Sequence, residues 1–204
     1  GFRPQDGEAR CIYGGLLLTA KQIRDAAIHL KFGSQTTQDI VCLHDYADAL
    51  GRLQQPKKAL KILNRLIRLD QSNAHAFYLR AYILIDEDPA HGKLALEALE
   101  KSLKIAPKRA SSYHLKGYIL DRLNQREAAL LAYARAVDLE PKNPIYQQAK
   151  AIARVHIGEG AKAKKSLVTI LRKQPENNDV RRALAHIYMD TKNWKKAAQI
   201  LRQA

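Results

Sequence analysis

Ala95, Ala129, Ala163 and Ala197 stand 34 residues apart, and Pro107, Pro141 and Pro175 keep the same spacing. The small residues do likewise: Ala47 to Ala81 is 34, as are Gly117 to Ala151 and Ala151 to Ala185. A fixed period of this length means stacked supersecondary units, each too small to bury its apolar face alone. The period divides the chain into units at 40–73, 74–109, 110–143, 144–177 and 178–204. The second departs from it, because the turn from Ile85 to Gly92 is two residues longer.

Residues 110–143 give the clearest copy. A helical ruler puts Tyr113, Gly117 and Leu120 on one face of a first helix. Ala129, Tyr133 and Ala136 share one face of a second helix, and Pro141 then breaks the chain. The small residue in each first helix (Ala47, Ala81, Gly117, Ala151, Ala185) lets the paired helices approach closely. The alanine opening each second helix (Ala59, Ala95, Ala129, Ala163, Ala197) admits the next unit. Proline after the second helix removes a donor and stops it.

Before the repeats, residues 1–14 are polar and punctuated by glycine, so an irregular arm is expected. Leu16, Ala20, Ile23, Ala27 and Leu30 predict one helix over 16–32, closed by Gly33 and capping the array. Residues 1–39 thus read as an N-terminal arm and capping helix ahead of the repeats at 40–204. No apolar run is long enough to span a bilayer, and the N-terminus lacks the apolar run and cleavage site of a signal peptide. The expected location is the cytoplasm. Cys11 and Cys42 are the only cysteines and read as two ordinary thiols of a reducing compartment rather than a disulfide.

With aromatic–small–apolar spacing in the first helix and Ala–aromatic–Ala–Pro spacing in the second, the chain resembles the tetratricopeptide repeat (TPR) family over about four fifths of its length. The resemblance implies an all-α fold: a superhelix of about five helix-turn-helix units with an extra N-terminal helix. It also implies a non-enzymatic role as scaffold, adaptor or chaperone, in assembly of a multiprotein complex or a secretion apparatus. First helices would line a concave groove that holds a peptide or helix of another protein. Departures are Arg80, Lys116 and Lys150 just before the small residue, and Gln147, Arg154 and Arg181 in place of large apolar side chains. Gln71 stands where the first unit's proline would fall.

Counted from the small residues, the groove positions collect five of the seven histidines: His44, His75, His114, His156 and His186. Tyr78, Tyr82, Tyr118, Asp121 and Arg122 join them. Rings and imidazoles on one strip suit stacking and hydrogen bonding to a protein segment. They predict an affinity that changes between about pH 7.5 and 5.5. Within the family, the branch that holds acidic chaperone C-termini uses a lysine and asparagine clamp; neither residue type occupies these positions, which disfavours that ligand.

The net charge of +15 admits an acidic partner. Lys57, Lys58, Lys61 and Arg65 in one second helix, and Lys162, Lys164 and Lys165 in another, form the outer basic surface. A solvated outer face is the preferred reading of it, and a polyanion-binding module the alternative. Self-assembly is a third reading, since the last helix runs to Ala204 without a polar closing helix, leaving an end to stack on a second copy. No cofactor, metal site or catalytic group is expected. The string from Gly158 to Ser166 misses phosphate-loop spacing, and Asp86, Glu87 and Asp88 run into Pro89 instead of continuing as a cation loop.

Overall fold

The computed structural model describes residues 6–202, which form twelve helices and no strands. They alternate as six pairs. The pairs are α1 (Gly7–Thr19) with α2 (Ile23–Thr36), α3 (Ile40–Arg52) with α4 (Pro56–Leu69), and α5 (Ala74–Glu87) with α6 (Gly92–Ile105). Then come α7 (Ala110–Arg122) with α8 (Arg126–Leu139), α9 (Pro144–His156) with α10 (Gly160–Lys173), and α11 (Asn178–Asp190) with α12 (Trp194–Arg202). The first three pairs form one compact unit and the last three a second. Residues 1–5 of the expected arm, and Gln203 and Ala204 at the end of the last pair, lie outside the described residues.

The repeat reappears in the local chemistry of the helix ends. Asp39, Asn73, Asn143 and Asn177 each precede a first helix, and each accepts a backbone N–H of its first turn. Most first helices finish on a left-handed residue: Lys21, Gln54, Asn124, Gly158 or Lys192. The residue after it donates to a carbonyl five positions back, as in Gln55 N to Leu50 O at 2.9 Å and Gln125 N to Leu120 O at 2.8 Å. The pair α5–α6 instead turns through a short 3₁₀ segment, Pro89–His91, capped by Asp88. That segment holds the two extra residues.

The start of the chain differs from expectation. In place of an irregular arm and one helix over 16–32 there are two helices, separated at residues 20–22 with Lys21 at φ 61°. Gly14 takes the small-residue position: a Cβ there would lie 2.5 Å from Leu30 Cγ. Ala26 and Leu30 are fully buried beside it. This is a further copy of the helix pair, one residue shorter in period. Gly33 does not end a helix; it sits inside α2, where a Cβ would collide with the sulfurs of Cys11 and Cys42 and lie 2.9 Å from the Gly7 carbonyl oxygen.

Those sulfurs are bonded to each other. Cys11 and Cys42 form a disulfide, against the expectation of free thiols, and join α1 to α3 across Gly33. Both are buried. The bond adds to an apolar core built on Leu30, Leu43, Leu63 and Leu66, all fully buried. Arg65 closes the same region from α4. Its guanidinium donates to the carbonyls of Ser34 at 2.5 Å and Thr37 at 3.1 Å, where α2 runs out of intrahelical partners.

In the second unit, Leu167, Val180 and Leu184 centre one cluster, and Tyr146 packs with Ala110 and Ala136 in another. Gln147 and Arg181, which replace large apolar residues 34 positions apart, repeat one solution. Gln147 donates to the Pro141 carbonyl, and the buried Arg181 donates to the Pro175 carbonyl and to Asn178. Each polar side chain ties its helix to the proline that ended the previous one.

Candidate functional site

First-helix faces of the first unit carry a row of rings. His44 and His75 lie with centroids 4.6 Å apart, and His75 stacks on Tyr78 at 5.7 Å. His44 Nδ1 sits 3.1 Å from Asp45 Oδ1, while its buried Nε2 has no hydrogen-bond partner. One helical turn on from Tyr78, Tyr82 presents its ring to solvent, 47% exposed. Asp48 and Arg52 close the row as an i,i+4 ion pair at 2.9 Å.

The second unit treats its expected site residues unequally. His156 Nδ1 pairs with Asp121 Oδ1 at 3.2 Å, and Arg126 donates to the His156 carbonyl at 3.3 Å. His186 Nδ1 pairs with Asp190 Oδ2 at 3.0 Å. His156 and His186 line one cavity of about 700 Å³ together with Ile152, Val155 and Arg182. Arg122 donates to the Tyr118 hydroxyl at 3.3 Å, with its guanidinium over the ring. Arg126 also lines the cavity and is absent from the sequence-derived set, because it opens a second helix and only the fold brings it to this face.

His114 is different. Expected on the groove, it is half-buried between Tyr133 and Tyr146, with centroids 5.5 and 5.1 Å away. The space exists because Gly117 lets the Tyr133 ring lie close against α7. Burial holds the His114 imidazole below the ordinary histidine range. The unfolded chain therefore takes up this proton at a higher pH than the folded chain does. The stability contributed by the neutral ring is intact above about pH 6.5 and is lost as pH falls toward the lower folded value. Acid denaturation followed by circular dichroism is expected to need a lower pH in His114→Phe than in the native chain. Identical acid profiles would mean that the ring contributes nothing to the loss.

The expected basic surface does not act as one patch. Lys57, Lys58 and Lys61 are exposed on α4, Lys58 donating to Gln55, whereas Arg65 is committed to the end of α2. On α10, Lys162 pairs with Glu159 at 2.6 Å and Lys164 lies 4.4 Å over the Tyr188 ring. Lys165 is exposed and borders a separate cleft. No group of three or more His, Cys, Asp or Glu among the described residues is placed to hold a metal ion, and no described helix is long and apolar enough to cross a membrane.

Two family models, both described as tetratricopeptide repeat, match residues 110–143 and 158–204. The chain carries tetratricopeptide repeats. A relative of the same kind, TPR repeat-containing protein MJ1428 of Methanocaldococcus jannaschii, is 35% identical over 101 residues. That match covers 50% of this chain and 17% of the relative, so the chain spans only a small part of the protein it resembles. Among solved structures, MamA of Desulfovibrio magneticus RS-1 superposes with TM-score 0.71 at 22% identity, covering 87% of this chain and 99% of its own. YrrB, a TPR protein described as having an unusual peptide-binding site, gives 0.66 at 21% identity, covering 81% and 84%. A TPR protein of Parabacteroides merdae gives 0.75 at 16% identity, covering 98% and 78%. At these identities the likeness establishes the repeat fold.

Proposed function

We propose that this chain is a non-enzymatic scaffold or adaptor that holds a segment of another protein against its first-helix faces, as part of assembling a larger protein complex. The observation that carries the reading is the row His44, His75, Tyr78 and Tyr82 in the first unit. Aromatic rings with polar tips on a rigid helix provide large contact area at low entropic cost, which is what interface hot spots need. The peptide-binding site ascribed to YrrB supports the same use of the fold. The cavity at His156 and His186 extends the mode to the second unit, with paired carboxylates and cations in place of stacked rings. The buried Cys11–Cys42 bond supports maturation in an oxidising compartment, against the cytoplasmic location expected from sequence.

A cross-linking pull-down comparing the native chain with Tyr78→Ala/Tyr82→Ala tests the reading. Truncating a hot-spot ring costs about 2 kcal/mol or more, so recovery of the partner is expected to fall at least about tenfold. Equal recovery by two equally folded chains would remove this face as the site.

A further inference from the structure

A second kind of site lies away from the first-helix faces, in clefts enclosed by the second helix of one pair and both helices of the next. In the second unit this cleft occurs twice, at positions 34 residues apart. Val137, Gln147, Lys150, Arg154 and Ser166 line one, of about 450 Å³. Leu171, Arg181, Leu184, Tyr188 and Ile200 occur at the matching positions of the other, of about 390 Å³. The first unit has a counterpart of about 440 Å³, where Tyr46 and Leu50 stand at the positions of Lys150 and Arg154. The cleft is thus a product of the repeat geometry, and its chemistry is set copy by copy.

Only in the α8–α9–α10 copy do lysine and arginine replace both apolar or aromatic side chains. Lys165 and Lys173 of α10 border the same space, so four cations line it and no carboxylate does among the described residues. Arg154 Nε is buried with no hydrogen-bond partner, and the Glu159 carboxylate stands 4.0 Å from it. Arg181 also replaces an apolar residue, but its donors are taken by the Pro175 carbonyl and by Asn178. Arg181 belongs to the packing; Arg154, paired only at 4.0 Å with Glu159, keeps hydrogen-bond donor capacity at a cleft lined by cations.

We propose that this cleft binds an acidic segment of a partner protein in which an apolar side chain is flanked by carboxylates. The floor of Val137, Pro144, Ala151 and Ile170 accepts the apolar side chain. The arginine fork offers paired donors to one carboxylate, and the lysines act as point charges for its neighbours. An apolar floor under a cationic rim favours such a peptide over a bare polyphosphate, which has nothing to bury there.

Fluorescence anisotropy on the full chain tests this with a labelled peptide Glu-Asp-Leu-Glu-Phe-Asp-Glu. Arg154→Leu, which restores the residue type at the matching position of α3, is expected to weaken binding at least tenfold without lowering the melting temperature. Lys165→Glu/Lys173→Glu, at exposed positions, is expected to do the same and stands in should Arg154→Leu fail to fold. Tyr78→Ala/Tyr82→Ala is expected to bind this peptide normally, which separates the cleft from the first-helix faces. Unchanged affinity in the cleft variants would overturn the proposal. So would equal binding of a peptide of acidic residues alone, or equal competition by inorganic triphosphate, since either makes the cleft a general polyanion site.

Discussion

Removing the Cys11–Cys42 bond is expected to lower the unfolding free energy by about 3–4 kcal/mol, the effect of opening a loop of this size in the unfolded chain. The two residues are 31 apart in sequence. Loops of about 15 and 100 residues correspond to about 3 and 4.7 kcal/mol in the chain-entropy account. What makes the loss local is the position of the bond. It joins α1 to α3 across Gly33, so its removal loosens the first pair from the second while leaving the last three pairs untouched. Both sulfurs are buried, which argues for testing Cys11→Ser/Cys42→Ser beside chemical reduction. The expected result is a lower denaturation midpoint, with hydrogen exchange accelerating in α1, α2 and α3 and unchanged in α9 to α12. Coincident unfolding curves for the native and variant chains would sink the argument.

What the sequence revealed and withheld follows from how each feature is encoded. The repeat at 40–204 is legible because close helix approach demands a small residue at a fixed place, and Ala47, Ala81, Gly117, Ala151 and Ala185 supply it. The first pair obeys the same rule through Gly14 and Ala26, but one residue out of period and without a closing proline, so a 34-residue ruler passes over it. Two cysteines carry no pairing information by themselves. It is the unseen pair α1–α2 that brings Cys11 to Cys42. His114 shows the same limit at the site. Periodicity assigns it to a helix face, yet whether a ring on that face meets solvent or sinks depends on its neighbours. His75 stacks on Tyr78 in a row that leads to the exposed Tyr82, while His114 is enclosed by Tyr133 and Tyr146. Arg65 likewise reads as one more cation on a basic helix until the carbonyls of Ser34 and Thr37 are known to face it.

Gly117→Ala is expected to destabilise the chain by about 1–2 kcal/mol, although alanine is the better helix former by about 1 kcal/mol. The reason is the Tyr133 ring. A Cβ at position 117 would lie 2.6, 2.7 and 2.8 Å from its Cδ1, Cε1 and Cγ. The ring is 6% exposed and backed by His114, which is itself held against Tyr146, so relief by sliding moves three side chains. Other copies show the complementary choice. Sixteen positions after Ala47 and Ala151 stand Leu63 and Leu167, both fully buried, where the third copy has Tyr133. In those two copies alanine faces the leucine, and in the third glycine makes room for the larger tyrosine, since the two volumes share one gap; the first pair, packed more tightly still, sets Gly14 against Leu30. It follows that Tyr133→Leu should offset the cost of Gly117→Ala, restoring the pairing found at 47 and 63. Denaturant titration of the native chain, both single variants and the double variant measures this as a coupling of about 0.5–3 kcal/mol. Strictly additive losses would show that Gly117 is required for some reason other than the ring across from it.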